Sequence, residues 1–119
     1  MNKKQQGAQN YRSGSIGEQR AEAYLRSCKF KVLHRNFKTA RYEIDIIAKR
    51  KKQLYFIEVK YRSTSKQGMG YEYVTPAKLA QMSYAAQRWV AENNYKGNYQ
   101  LAVVSINGEE IQFIDEIWQ

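Results

Sequence analysis

Cysteine, histidine and proline each occur once in this chain of 119 residues, and each scarcity closes a class of explanation. A lone cysteine, Cys28, forbids an intramolecular disulfide. It falls among apolar residues of a helical stretch and reads as packing. A lone histidine, His34, excludes a histidine-rich metal centre and a His-Asn-His nuclease. On a strand beside Arg35 it reads as a structural or surface residue. The N-terminal charges are followed by no apolar run, so no signal peptide is expected. No stretch reaches the roughly 18 apolar residues of a membrane span. The expectation is a soluble cytoplasmic protein with no membrane partner. Spacings typical of a helix-turn-helix, a zinc finger or an RNA-recognition motif are missing as well.

Negative charge is also in short supply. The formal net charge is +9 and the pI about 9.7. The imbalance is local: residues 1–66 carry 17 Lys and Arg against 5 Asp and Glu, whereas residues 67–119 carry 3 against 6. A basic half beside a mildly acidic one suits a polyanion-binding surface, and equally suits a charge excess that only serves solubility. The length is that of one domain, and 43% hydrophobic residues suffice for one core.

Residues 1–13 are polar and basic and are expected to form a flexible tail, leaving 14–119 as a single domain. Ser15-Ile-Gly-Glu18 reads as a capping box opening a helix to about Cys28, with Ile16, Ala21, Tyr24, Leu25 and Cys28 at helical spacing. Residues 30–34 form a short strand. Tyr42–Ala48 and Leu54–Lys60 both alternate, and the basic turn Lys49-Arg50-Lys51-Lys52 joins them as an antiparallel hairpin. A Ser- and Gly-rich loop covers 62–74. Thr75-Pro76 caps a second helix to about Asn93, whose apolar face is Leu79, Met82, Ala86, Trp89 and Val90. Residues 99–106 form a strand buried on both faces, and 110–114 a last strand after an Asn107-Gly108 turn. The order is αβββαβ with one extra strand: an α/β protein with a mixed central sheet flanked by helices. A right-handed crossover makes the fourth strand parallel to the third.

Alternation along strands puts Glu43, Asp45 and Ile47 on one face, and Leu54, Phe56, Glu58 and Lys60 on one face. If the hairpin brings these faces together, carboxylates and one ammonium converge. Carboxylates without His or Cys favour a hard cation such as Mg²⁺ or Mn²⁺. Such an ion polarises a phosphoryl oxygen and acidifies a bound water. A lysine two residues from a ligand can stabilise negative charge in the transition state. Acid-x-Lys on a strand is also a common solvated ion pair. The apolar Leu54 and Phe56 on the same face favour the functional reading, because a partly covered charged pair needs a partner. Glu18 either completes the capping box with Ser15 or reaches over the sheet toward the other acids.

Gly14-Ser-Ile-Gly-Glu18, Arg35-Asn36, Glu43-Ile-Asp-Ile-Ile-Ala48 and Phe56-Ile-Glu-Val-Lys-Tyr-Arg-Ser63 together resemble the YraN-like family of uncharacterised bacterial proteins, over about residues 14–114. The Gly70 region and Lys78 fit its pattern too. Members are regarded as predicted endonucleases, similar in fold to archaeal Holliday junction resolvases and restriction endonucleases. The resemblance therefore implies a restriction-endonuclease-like core and PD-(D/E)xK chemistry. It makes Asp45 and Glu58 metal ligands, Lys60 the catalytic lysine and Glu18 a helical glutamate near the metal. Glu43 matches an acidic position before the aspartate. Two positions depart from the family pattern: Tyr42 stands where glycine is usual, and Ala102 where an aspartate is usual.

The expected activity is metal-dependent cleavage of DNA, including branched or junction DNA. Lys49, Arg50, Lys51, Lys52, Arg62, Lys66 and Lys78 are the candidate phosphate contacts. Ten tyrosines offer stacking surfaces, Tyr61, Tyr71 and Tyr73 near the loop among them, although packing is the more usual role of such residues. The alternatives are a nucleic-acid-binding protein of the same fold without turnover, and a protein whose basic face meets an acidic partner. A homodimer would suit a two-fold symmetric junction, with Phe113, Ile117 and Trp118 as the candidate contact.

Overall fold

Two apolar stripes at helical spacing and five extended segments assemble into one sheet covered by a helix on each face. The computed structural model describes residues 12–62, 74–115 and 117. Helix α1 spans Arg12–Ser27, followed by strands β1 (Lys31–Lys38), β2 (Glu43–Arg50) and β3 (Gln53–Arg62). Helix α2 spans Pro76–Glu92, and strands β4 (Tyr99–Asn107) and β5 (Glu110–Ile114) complete the chain. The strands lie in the order β1-β2-β3-β4-β5. All neighbours are antiparallel except β3 and β4, which run parallel, as the crossover through α2 requires. This is an α/β fold with a mixed sheet, consistent with a restriction-endonuclease-like core. Among the described residues no helix is long and apolar enough to cross a membrane.

The end of α1 and the start of α2 each have a local cause. At the end of α1, Lys29 N–H donates to Arg26 O and Phe30 N–H to Leu25 O, with Lys29 left-handed at φ 73°. This is the Schellman pattern, and its accompanying apolar contact is Leu25 with Phe30, both buried in one cluster. At the start of α2 the Thr75 hydroxyl accepts from Lys78 N–H at 3.1 Å and Pro76 takes the first helical position. Helix α1 begins before Ser15, so Ser15 lies within the helix rather than at the N-cap position expected for it. Residues 1–11 of the expected tail lie outside the described residues, while Arg12 and Ser13 belong to the helix.

The α1 face of the sheet packs Ala21, Leu25 and Phe30 against Ile46, Ala48, Tyr55, Ile57, Ala102, Val104 and Ile106. The α2 face packs Met82, Ala85 and Ala86 against Ile44, Ile47, Leu54, Phe56 and Val103. Burial on both faces explains why β4 reads as a nearly continuous apolar run. Cys28 packs against the α1-side cluster, as expected of it. His34 lies exposed on the edge strand β1 with its ring against Phe37. Ile16, expected on the apolar face of α1, is instead exposed. Of the residues expected to meet a second copy, Ile117 is buried in the α2-side cluster and Phe113 is half-buried against Phe30 and Tyr55. Trp118 lies outside the described residues.

One irregularity reorganises the first two strands. In β2, Ile44 and Ile47 both face α2, while Ile46 and Ala48 face α1. Two residues three apart cannot share a face of an unbroken strand, so the alternation changes phase between them, at Asp45. The neighbouring strand does the same: Arg35 meets the glutamates of α1, while Phe37 packs with the α2-side cluster. Asn36, left-handed at φ 58°, makes that turn, and it stands with Asp45 between the register pairs Arg35–Ile46 and Phe37–Ile44. The expectation that Glu43, Asp45 and Ile47 share one face is therefore corrected, because a strand that switches phase loses its period of two. Leu54, Phe56, Glu58 and Lys60 keep theirs.

The left-handed backbone at residue 36 is open to asparagine and glycine and costly for a β-branched side chain. Asn36→Val is expected to destabilise the fold by about 1–2 kcal/mol, and Asn36→Gly by clearly less. Urea unfolding of the two variants beside the parent chain measures the difference.

Candidate active site

The phase change leaves Asp45 facing a gap in the sheet rather than a helix. Register pairing between β2 and β3 runs from Arg50–Gln53 to Ile46–Ile57 and stops there. Where the next main-chain bond would be sought, Val59 N–H donates to Asp45 Oδ2 at 2.8 Å. A side-chain carboxylate thus stands in for a strand carbonyl. It is half-buried, and its charged neighbours are acids. Burial and then Glu58 push the Asp45 carboxyl up to about 7 from an ordinary 3.8. The Val59 N–H pulls the other way, and Glu18 and Glu43 add smaller upward pushes.

Glu58 comes from β3 on the α2 face, with its side chain 12% exposed. Two ammonium groups hold it: Lys60 Nζ at 3.5 Å from one oxygen and Lys78 Nζ at 3.4 Å from the other. Lys60 is on the same strand two residues on, and Lys78 reaches across from the first turn of α2. Lys78, expected as a phosphate contact, is thus engaged with a candidate ligand.

Glu18 is brought to the sheet by a close approach of α1 to β3. A Cβ on Gly17 would stand 2.8 Å from Tyr61 Cβ, so only glycine lets the helix lie this near. Arg35 then takes Glu18 at 3.3 Å and Glu22 at 3.2 Å, from a strand position on the α1 side. Glu43 is exposed at the start of β2. Asp45 feels all three other acids, yet among the described residues no three Asp, Glu, His or Cys side chains stand in a group that could hold a metal ion. Asp45 and Glu58 form the core of the constellation, and Glu18 and Glu43 lie around it.

The expected phosphate contacts separate. Lys49 and Arg50 belong to β2 rather than to a turn, and only Lys51 and Lys52 connect the strands. The hairpin tip lies at the far end of β2 from Asp45, on the order of 20 Å away at the usual rise per residue. Arg62 ends β3, two residues beyond Lys60. Lys66, Tyr71, Tyr73 and the Gly70 region lie outside the described residues. Ala102 is fully buried on the α1 side beside Ile57, so an aspartate there would not have shared the face of Glu58.

Some site neighbours escaped the sequence reading. Ser105 pairs in register with Lys60, and Asn107 with Arg62. Both are buried, and Asn107 Nδ2 donates to Ser105 Oγ at 3.1 Å. A serine and an asparagine in an apolar strand were the only available signal. Arg35 belongs to a motif in the sequence, but its pairing with Glu18 and Glu22 depends on the phase change at Asn36.

A model of the uncharacterised protein family UPF0102 matches residues 17–106, from the residue before Glu18 to the one after Ser105. The chain belongs to this family. The resemblance to YraN-like proteins fits that membership. A UPF0102 protein of Cytophaga hutchinsonii is 35% identical over 103 residues, covering 87% of this chain and 91% of its own length. One from Sulfurihydrogenibium sp. is 37% identical over 99 residues, 82% of this chain and 86% of its own. One from Clostridium acetobutylicum is 32% identical over 117 residues, 92% and 96%. The UPF0102 match spans Glu18, Arg35, Asn36, Glu43, Asp45, Glu58, Lys60, Lys78 and Ser105.

The folded value for Asp45 lies above the unfolded one, so the folded chain holds that proton more tightly. The stabilisation is complete below the unfolded value and is lost as pH rises through about 7. In EDTA, stability should therefore fall between pH 4 and pH 8, with an Asp45 contribution on the order of 2–4 kcal/mol after allowance for partial exposure. Asp45→Asn, which keeps an acceptor for Val59 N–H, should abolish most of this slope and be the more stable protein at pH 8. Urea melts of both proteins across that range test it, and parallel curves would refute the assignment.

Proposed function

We propose that this protein is a metal-dependent phosphodiesterase of the PD-(D/E)xK class that cleaves DNA, with branched or junction DNA among its substrates. The observation that carries the reading is the state of Asp45. A carboxyl pushed up to about 7 by burial and by Glu58 holds an electrostatic cost that a divalent cation beside both groups would relieve. The donors are all oxygen, which suits Mg²⁺ or Mn²⁺. Mg²⁺ commonly takes one or two protein carboxylates and fills its other positions with water and substrate phosphate, so Asp45 and Glu58 fit such an ion without a third acid. When bound, the ion would polarise a phosphoryl oxygen and acidify a water.

The chain's own groups supply the rest. Val59 N–H fixes the orientation of Asp45. Lys60 shares the face of Glu58, where its ammonium can stabilise negative charge developing on the phosphoryl oxygens. Lys78 holds the opposite oxygen of Glu58 and orients it from α2. Arg35 restrains Glu18 beside the sheet, in reach of the field at Asp45. The cationic excess of residues 1–66 suits a polyanionic substrate, and phosphate contacts of this kind set affinity without reading sequence. A second reading, a nucleic-acid-binding protein of the same fold without turnover, draws support from the missing third acid among the described residues.

The full chain with Mg²⁺ or Mn²⁺ is expected to nick supercoiled plasmid and to cleave labelled duplex or four-way DNA. Asp45→Asn and Lys60→Ala should each lower the rate by about 10²–10³-fold. Salt-dependent binding with no cleavage selects the second reading. Identical background cleavage by all three proteins removes the enzyme from consideration.

A further inference from the structure

The end of the sheet farthest from Asp45 gathers a second concentration of positive charge. Lys29 sits in the turn after α1, Lys31 opens β1, Lys49 and Arg50 end β2, and Lys51 and Lys52 form the hairpin turn. Lys31 and Lys49 are direct register partners across β1 and β2, an arrangement in which like charges repel. None of these cations forms an ion pair with a carboxylate among the described residues.

Two of the lysines also occupy backbone positions that favour glycine or asparagine. Lys29 has φ 73° at the end of α1, and Lys51 has φ 57° in a two-residue hairpin turn. Placing lysine at both costs backbone energy in addition to the repulsion. Three of these cations, Lys29, Arg50 and Lys51, line an open cavity of about 500 Å³ together with Cys28, Gln53 and Tyr55. Arg50 is preset on its rim: its guanidinium lies 4.2 Å from the Phe30 ring centroid and donates to Cys28 O at 3.3 Å. A concave surface with unpaired cations, one fixed guanidinium and an aromatic wall has the composition of a phosphate-backbone contact.

We propose that this end of the sheet is a second nucleic-acid contact surface, separate from the carboxylate site, whose cavity receives a backbone phosphate. It deepens the nuclease reading and rests on that reading for the identity of the ligand as DNA. The two surfaces are on the order of 20 Å apart along the strands. A substrate filling both must extend about six base pairs from the cleaved phosphate, or present a second arm.

The test is binding without chemistry. The full chain in EDTA is titrated with a fluorescent 24-base-pair duplex by anisotropy, between 50 and 200 mM salt. Lys29→Gln with Lys51→Gln and Lys52→Gln changes three exposed side chains, and thermal melting checks that the fold is kept. Loss of three phosphate contacts should make the slope of log affinity against log salt shallower by about 2.7, at about 0.9 per contact. Lys51→Gln with Lys52→Gln alone should give about two thirds of that effect, which guards against a fold change from Lys29. An unchanged slope and affinity would overturn the proposal. So would tip-dependent binding of polyglutamate with no duplex binding, which would mark an acidic protein partner instead. Tip-dependent duplex binding in a chain that never cleaves keeps this surface and removes only the nuclease. Cleavage with an unchanged slope does the reverse.

Discussion

The bond from Val59 N–H to the Asp45 carboxylate is the contact on which the arrangement turns. A strand normally satisfies its amides with a neighbour's carbonyls, and a buried amide left over is costly. Here β2 rotates out of phase and an acidic side chain answers the amide instead. That substitution ties an ionisable group to main chain that cannot move independently of the core. The nearby Glu58 then makes the position electrostatically uncomfortable, and the surrounding apolar clusters on both faces hold it there. The site is therefore a feature of the rigid sheet, with the helices supplying Glu18 and Lys78 as outer supports.

Much of this was legible in the residues. The elements announced themselves through ordinary chemistry: Thr75-Pro76 at the start of α2, alternation in β3, and an unbroken apolar run in β4 that only a strand covered on both faces can afford. The grouping of Glu58 with Lys60, and the parallel course of β4, followed from period and handedness. Asp45 stands out in the sequence as an acid near Glu58, but alternation alone assigns it the wrong face. Its face was inferred from an unbroken alternation that Asn36 and Asp45 together interrupt. No period-based reading anticipates a paired change of phase in two strands. The start of α1 eludes the sequence for a related reason: Ser-x-x-Glu is a local pattern, and the helix already runs through it from Arg12.

Positive charge shows a similar contrast between order and place. Lys49 to Lys52 follow Asp45 closely in sequence, which suggested that they flank it. An extended strand moves about 3.3 Å per residue, so a few positions carry them to the other end of the molecule. Lys78, distant in sequence, is the cation that meets Glu58. Arg35 likewise finds its partners on α1, 13 and 17 residues earlier in the chain. Proximity along the chain is a poor guide to electrostatic partnership in a sheet whose central pair is joined through a helix.

That parallel pair also has a kinetic consequence. The β2–β3 hairpin closes through two residues, whereas Leu54 meets Tyr99 only after the whole of α2 and the segment before it have been brought round. Loop-closure entropy makes the second event the slower one. A chain arrested before it would have the hairpin with both carboxylates but no Ser105 or Asn107 beside Lys60 and Arg62. Its β3 edge would be open to pairing with another molecule. Recovery of the native sheet after denaturation thus waits on docking of β4.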